Sequence, residues 1–185
     1  MSYTSETLIF SDDKIIVSSS GYEVMMDWEH PIMSASAAYV TQNGGDILEI
    51  GFGMGIASNY IQSHSISSHT IVENHPQVIE KLKTWSNGKS NVTIVSQSWY
   101  NALSNLETYD GIFHDTFDDQ DMGEFSSSLP SLTKSGTKAT FWNNNKNESN
   151  DLNIPNCTYQ QISITAASNT YFTGSTIYYM PKKEF

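Results

Sequence analysis

Between residues 44 and 143, short apolar runs alternate with stretches whose apolar positions recur every three or four residues. The runs DILEI (46–50), HTIVE (69–73), NVTIVSQ (91–97), YDGIFHD (109–115) and TKATFWN (137–143) predict five strands, the first of them buried. After the second run, PQVIEKLKTWSNG places apolar residues at 78, 79, 82 and 85, the one-face spacing of a helix. A second helix is predicted from GMGIASNYIQSH (53–64), directly after a run of glycines, and a weak third from MGEFSSSLPSLTKSG (122–136), ending at a Gly turn. Strands alternating with helices at this spacing predict a parallel sheet covered on both faces. Two later runs, TYQQISITA (158–166) and TYFTGSTIYYMP (170–181) with Thr173–Gly174 as a hairpin turn, predict an antiparallel pair. The expected fold class is α/β: one domain over residues 1–185 with a doubly wound, mostly parallel sheet that ends in an antiparallel strand pair.

Outside this pattern the expectations are looser. Residues 1–21 alternate poorly and end in serines and Gly21, which predicts a mobile or loosely docked arm. The stretch YEVMMDWEHPIMSASAAYVTQ (22–42) predicts a helix interrupted near Pro31, with the following NGG as its stop. NNNKNESNDLNIPN (143–156) is polar and of low complexity, the composition of a surface loop.

Charge narrows the partners. Asp and Glu number 20 against nine cations, every one of them Lys, for a net charge of -11. With no Arg there is no bidentate fork for guanine edges or phosphates, and a nucleic-acid backbone is repelled, so no nucleic-acid partner is expected and the ligand should be small or cationic. A biased genome is an equal explanation for the missing Arg. No apolar run approaches ~18 residues, and the first residues lack the basic and apolar regions of a signal peptide, so no membrane is expected. Cys157 is alone, which rules out an intrachain disulfide and makes a cytoplasmic location the default. His30, His64, His69, His75 and His114 show no metal-ligand spacing, and no metal is expected.

The glycine run carries the chemistry. In an open parallel sheet, ligands sit at the carboxyl ends of the strands, and Gly51, Gly53 and Gly55 remove Cβ atoms where a ligand must approach the backbone. Glu49 lies two residues before Gly51, and Glu73 ends the next strand, about where an acid accepts the hydroxyls of an adenosine ribose. A dinucleotide fingerprint needs a third Gly at residue 56, which here is Ile56. The pattern E-x-G-x-G-x-G instead resembles motif I of class I S-adenosylmethionine-dependent methyltransferases.

The segments EVMMDWEHPIM, LEIGFGMGIAS, IVEN, YDGIFHDTF and the late IYYMP together resemble the guanidinoacetate N-methyltransferase family, whose core is shared with a group of arginine N-methyltransferases. The match runs in order over about residues 23–117 and resumes near the C-terminus. The resemblance implies S-adenosylmethionine as cofactor and S-adenosylhomocysteine as product. It places cofactor contacts on Met25 and Met33, on Phe52, Gly53, Met54, Gly55, Ile56 and Ala57, on Glu73, Asn74 and His75, and on Trp99 and Tyr100. It places the two carboxylates that grip the acceptor's guanidino group on Glu29 and Asp115.

Such a pair suits the chemistry. A guanidinium has a pKa above ~12, so populating its neutral form at pH 7 costs roughly 7 kcal/mol. Two carboxylates can hold the planar cation, orient one nitrogen toward the methyl donor and take a proton as the bond forms. Asp115, after the fourth strand, is assigned the base role and Glu29 orientation. Taken alone, Glu29 also reads as a first-turn acid favoured by a helix dipole, and Asp115 as a turn cap in HDTFDDQD. His114 is an alternative base, but on a strand it points opposite to Asp115. The methionines are equally core filling, and Trp99 either stacks on adenine or covers the sheet edge.

Two departures from the family pattern stand out: no aromatic lid segment is matched ahead of Tyr22, and a helical insertion after Phe141 is reduced to the polar loop. The reading is an N-methyltransferase for a small guanidino or cationic-nitrogen acceptor such as guanidinoacetate. The alternatives are a cofactor-binding protein with altered or lost acceptor specificity, and a protein arginine N-methyltransferase.

Overall fold

The computed structural model describes residues 2–117, 122–165 and 171–185. Its centre is a seven-stranded sheet built from β4 (Asp46–Ile50), β5 (Ser68–Glu73), β6 (Val92–Ser96), β7 (Tyr109–His114), β8 (Thr133–Phe141), β9 (Thr158–Ser163) and β10 (Ile177–Glu184), in the order β6-β5-β4-β7-β8-β10-β9. The first five strands in that order pair in parallel, and β10 pairs antiparallel with both β8 and β9. The expected sheet, with its final antiparallel pair, is what the chain forms. The ends of the last two predicted strands, at residues 166 and 170, and the acidic stretch 118–121 lie outside the described residues.

Strand alternation sorts the core into layers. On β4, Ile47 joins a cluster with Ile32, Met33 and Val40 from α1 (His30–Val40) and Ile56 and Ile61 from α2 (Ile56–Gln62). The adjacent Leu48 faces the other way, into a cluster with Trp99, Phe125 and Leu129. α3 (Pro76–Ser86) buries Val78, Ile79 and Leu82, three of its four predicted apolar positions, and Pro76 sits in its first turn behind His75, whose Nδ1 accepts the Gln77 N–H at 3.2 Å. α4 (Trp99–Ala102) is a single turn.

Three local expectations are corrected. Residues 22–42 do not form one interrupted helix: Glu23–Met26 is strand β3, and the helix starts only at His30, next to Pro31. β-Strand pairing overrides helical pattern there, because β3 has a partner in β2 (Lys14–Val17), itself paired with β1 (Leu8–Phe10). The stretch 1–21, expected as a mobile or loosely docked arm, thus supplies two strands of a three-stranded sheet, with Leu8, Ile15 and Val17 buried against Phe52, Ile71, Val78 and Leu82. Gln77 clamps it by accepting the Leu8 N–H at 2.7 Å and donating to the Leu8 carbonyl. The weak helix at 122–136 breaks into short turns around α5 (Phe125–Ser128), and β8 already begins at Thr133, with Gly136 inside it rather than ending a helix. The polar stretch 143–156 has no helix or strand, but Asn143 is buried and its Nδ2 donates to Ser149 and Tyr179 carbonyls. Among the described residues no helix is long and apolar enough to cross a membrane.

Candidate functional site

The strand order reverses between β4 and β7, and a cleft opens at their carboxyl ends. Ile50 and Gly51, Val72 and Glu73, Gln97 and Ser98, and Phe113 and Asp115 line it, one pair from the end of each of four parallel strands.

Gly51 shapes the floor. Its φ of +92° is left-handed backbone, and a Cβ there would lie 1.8 Å from the Asp115 carbonyl oxygen. That close approach lets the Asp115 N–H donate to the Ile50 carbonyl at 2.8 Å, locking the end of β7 to the glycine turn. Gly53 also lines the cleft, and Gly55 caps the start of α2 at φ +74°.

Glu73 is held by backbone donors: Phe52 N–H donates to Oε2 at 3.0 Å, while Asn74 and His75 N–H donate to Oε1 at 2.9 and 2.8 Å. Two donors occupy Oε1 and one occupies Oε2, so Oε2 keeps the capacity to accept from a ribose hydroxyl. Burial raises its pKa against these three bonds.

Glu29 is the third residue of a tight turn, Asp27–Glu29, and only 2% exposed. Its Oε1 accepts the Met26 N–H at 2.8 Å, so it does stabilise a helical start, in line with one of the two sequence-based expectations for it. The same oxygen accepts the Tyr171 hydroxyl at 2.7 Å. Asp115 sits where the alternation of β7 predicts: His114 packs on Phe125, with ring centroids 4.0 Å apart, and Asp115 follows on the opposite face. Both carboxyls are pushed above the usual carboxylate range, chiefly by burial, with Asp115 adding to the shift of Glu29 and Glu49 to that of Asp115.

The two raised pKa values set the sign of a pH effect. The native protein holds protons on this pair that the unfolded chain releases near pH 4, so stability is greatest on the acid side and falls as pH rises through the raised values. We expect the ligand-free protein to melt at a lower temperature at pH 8 than at pH 6, and Asp115→Asn to flatten that dependence. Thermal denaturation across this range checks it; a melting temperature that climbs from pH 6 to 8 would overturn the account of the pair.

Not every predicted site residue reaches the cleft, and Glu29 is not among those that line it. Met25, Met33, Phe52, Ala57, Asn74 and Trp99 line it with the residues above. Glu49 does not: fully buried on the α2 side of β4, it accepts the Ser58 hydroxyl at 2.6 Å and lies 2.8 Å from His69 Nε2. Met54 and Ile56 pack in the hydrophobic core around the turn, and His75 turns its ring toward Tyr3. Tyr100 is 43% exposed, its ring edge-on to Trp99.

Conversely, the cleft includes Tyr3, whose ring packs on His75 at 4.7 Å and Phe117 at 5.1 Å beside Glu73. Nothing in the poorly patterned N-terminal stretch signals it. An aromatic group flanks Glu29 as well: Trp28 lies 5.8 Å from Tyr171 and 6.1 Å from Phe172, and Trp142 packs on Tyr171, Phe172 and Tyr178. Its members come from opposite ends of the chain.

The sheet order, the glycine turn and the acid ending β5 give the chain the fold of the class I S-adenosylmethionine-dependent methyltransferases. The N-methyltransferase NodS of Bradyrhizobium japonicum WM9, solved with S-adenosyl-l-homocysteine, shares the fold at a TM-score of 0.64 over 84% of this chain and 86% of its own, with 13% identity. The family model for guanidinoacetate N-methyltransferase matches residues 5–127, and the chain belongs to that family. It is also similar to protein arginine N-methyltransferase 2 of Kluyveromyces lactis, with 32% identity over 216 aligned positions covering 99% of this chain and 53% of the relative. The protein of the same name from Yarrowia lipolytica is 36% identical over 130 positions, 63% of this chain and 27% of the relative. The chain thus spans about half or less of the length of these relatives.

Proposed function

We propose that this domain methylates a guanidino nitrogen of arginine within a polypeptide, using S-adenosylmethionine. The observation that carries the reading is a carboxylate pair, the buried Glu29 interacting with the half-buried Asp115, which lines the cleft at the strand ends. Burying two acids together is costly, and a guanidinium is the ligand that relieves both at once.

When bound, the cofactor supplies an electrophilic methyl group. Glu73 Oε2 would accept from a ribose hydroxyl, while Gly51 and Gly53 would let the backbone approach. Glu29, fixed by Met26 and Tyr171, orients the guanidinium. Asp115 would hold its other edge and take one N–H proton as the methyl group passes from sulfur to nitrogen, the C–S bond breaking and S-adenosylhomocysteine leaving as the N–C bond forms; the raised pKa makes this carboxylate a better base than a solvated one.

Two observations favour a polypeptide arginine over a small guanidino acid such as guanidinoacetate. Relatives at 32–36% identity are named protein arginine N-methyltransferase 2. Among the described residues no Lys lines the cleft, and the chain has no Arg, so a small acid's carboxylate finds no cationic partner there. Methyl transfer from labelled cofactor to arginine-containing polypeptides, free arginine and guanidinoacetate tests the reading, with polypeptide the preferred acceptor. Preference for guanidinoacetate would restore the small-molecule alternative. Tight S-adenosylhomocysteine binding with no methylated acceptor would leave a cofactor-binding protein.

A further inference from the structure

We propose that Tyr171 is a positioning residue for the acceptor: its hydroxyl fixes one oxygen of Glu29 so that the other is presented to the guanidinium. The inference rests on the guanidino-acceptor reading and adds a residue 142 positions away from the carboxylate it controls.

The geometry is specific. A glutamate's terminal torsion is broad and roughly two-fold, so an unrestrained Glu29 carboxylate would sample many orientations. Here Oε1 receives two donors, the Met26 N–H at 2.8 Å and the Tyr171 hydroxyl at 2.7 Å. Together they fix the carboxylate plane and leave Oε2 for the substrate, since bidentate recognition of a planar cation depends on that plane. Packing holds the Tyr171 ring, with Trp28 5.8 Å away on one side and Trp142 6.0 Å away on another. Trp142 packs in turn on Tyr178 of β10 at 5.3 Å. The segment leading into β10 thereby reaches across to the turn before α1.

The hydroxyl also favours the ionised form of Glu29, opposing burial and the Asp115 charge. The titratable groups that interact with Glu29 are Asp115 after β7, Tyr171 itself and Tyr178 on β10. Removing the hydroxyl therefore raises the Glu29 pKa and reduces the fraction able to receive a guanidinium at neutral pH.

Tyr171→Phe keeps the ring and removes the donor. On an arginine-containing polypeptide that the wild type methylates, kcat/KM for the acceptor should fall about tenfold at pH 7, the scale of one hydrogen bond to a charged group. The acid limb of its pH profile should move to higher pH, with S-adenosylhomocysteine affinity within about twofold of wild type. In a Glu29→Gln background the same substitution should cost much less, because its effect runs through Glu29. Site-specific 3-fluorotyrosine at residue 171, a stronger donor of nearly the same shape, should move the acid limb the other way and serves even if Tyr171→Phe folds poorly. An unmoved limb in both variants, or full additivity with Glu29→Gln, would overturn the positioning role. Absence of methylation by the wild type would instead count against the guanidino reading.

Discussion

Gly51→Ala should lower S-adenosylhomocysteine affinity at least 100-fold and destabilise the fold by about 2–4 kcal/mol. The added Cβ would lie 1.8 Å from the Asp115 carbonyl oxygen, which is backbone and cannot swing aside. Relief requires moving the end of β7 away from the glycine turn, and that opens the cleft floor and displaces Asp115 together. Gly88→Ala provides the control, since Gly88 has φ +80° but a Cβ added there would meet nothing within 4 Å. It should show only the cost of left-handed backbone, about 1–2 kcal/mol, with normal ligand affinity. Calorimetric titration and thermal denaturation of the two variants read both quantities. Wild-type affinity in Gly51→Ala would remove the glycine turn from the cofactor site.

Asp115→Asn is expected to lower turnover by ~10²-fold or more while leaving S-adenosylhomocysteine affinity nearly intact. The substitution preserves shape and hydrogen-bonding capacity but removes the base at the end of β7. Glu29→Gln should behave differently, weakening acceptor binding along with rate, because its charge-assisted contact is made in the ground state and the transition state alike. Steady-state kinetics with the acceptor varied separates the two patterns. Equal kcat in Asp115→Asn and wild type would place the base elsewhere.

Much of this site is legible in local patterns. The strands β4, β5, β6 and β7 are short runs rich in apolar residues, and the glycine turn follows the first of them directly, so short-range rules suffice to place Gly51, Gly53 and Glu73. Period-two alternation also separates His114 from Asp115, and the structure packs the histidine against Phe125. Glu49 shows the limit of such rules: it has the right position before the glycines, but its face of β4 points to Ser58 and His69 under α2.

What stays hidden in the sequence depends on contacts between distant segments. β3 reads as helical because EVMM carries no strand alternation, and its conformation comes from pairing with β2. Tyr3 reaches the cleft only because Leu8, Ile15 and Val17 dock the N-terminal sheet on α3 and β5 residues. Tyr171 bonds Glu29 across almost the whole length of the chain, and no periodicity encodes that encounter.

The central claim is that Glu29 and Asp115 together serve a guanidinium beside the cofactor site. It is tested most directly by a single-turnover methyl transfer, read by mass spectrometry, from saturating S-adenosylmethionine to a polypeptide containing arginine, with a lysine-substituted polypeptide alongside. The account predicts one added methyl group on the arginine guanidino group, none on the lysine version, and loss of the product when Glu29→Gln and Asp115→Asn are combined. Methylation of the lysine polypeptide, or product formation undiminished in the doubly substituted enzyme, would contradict it.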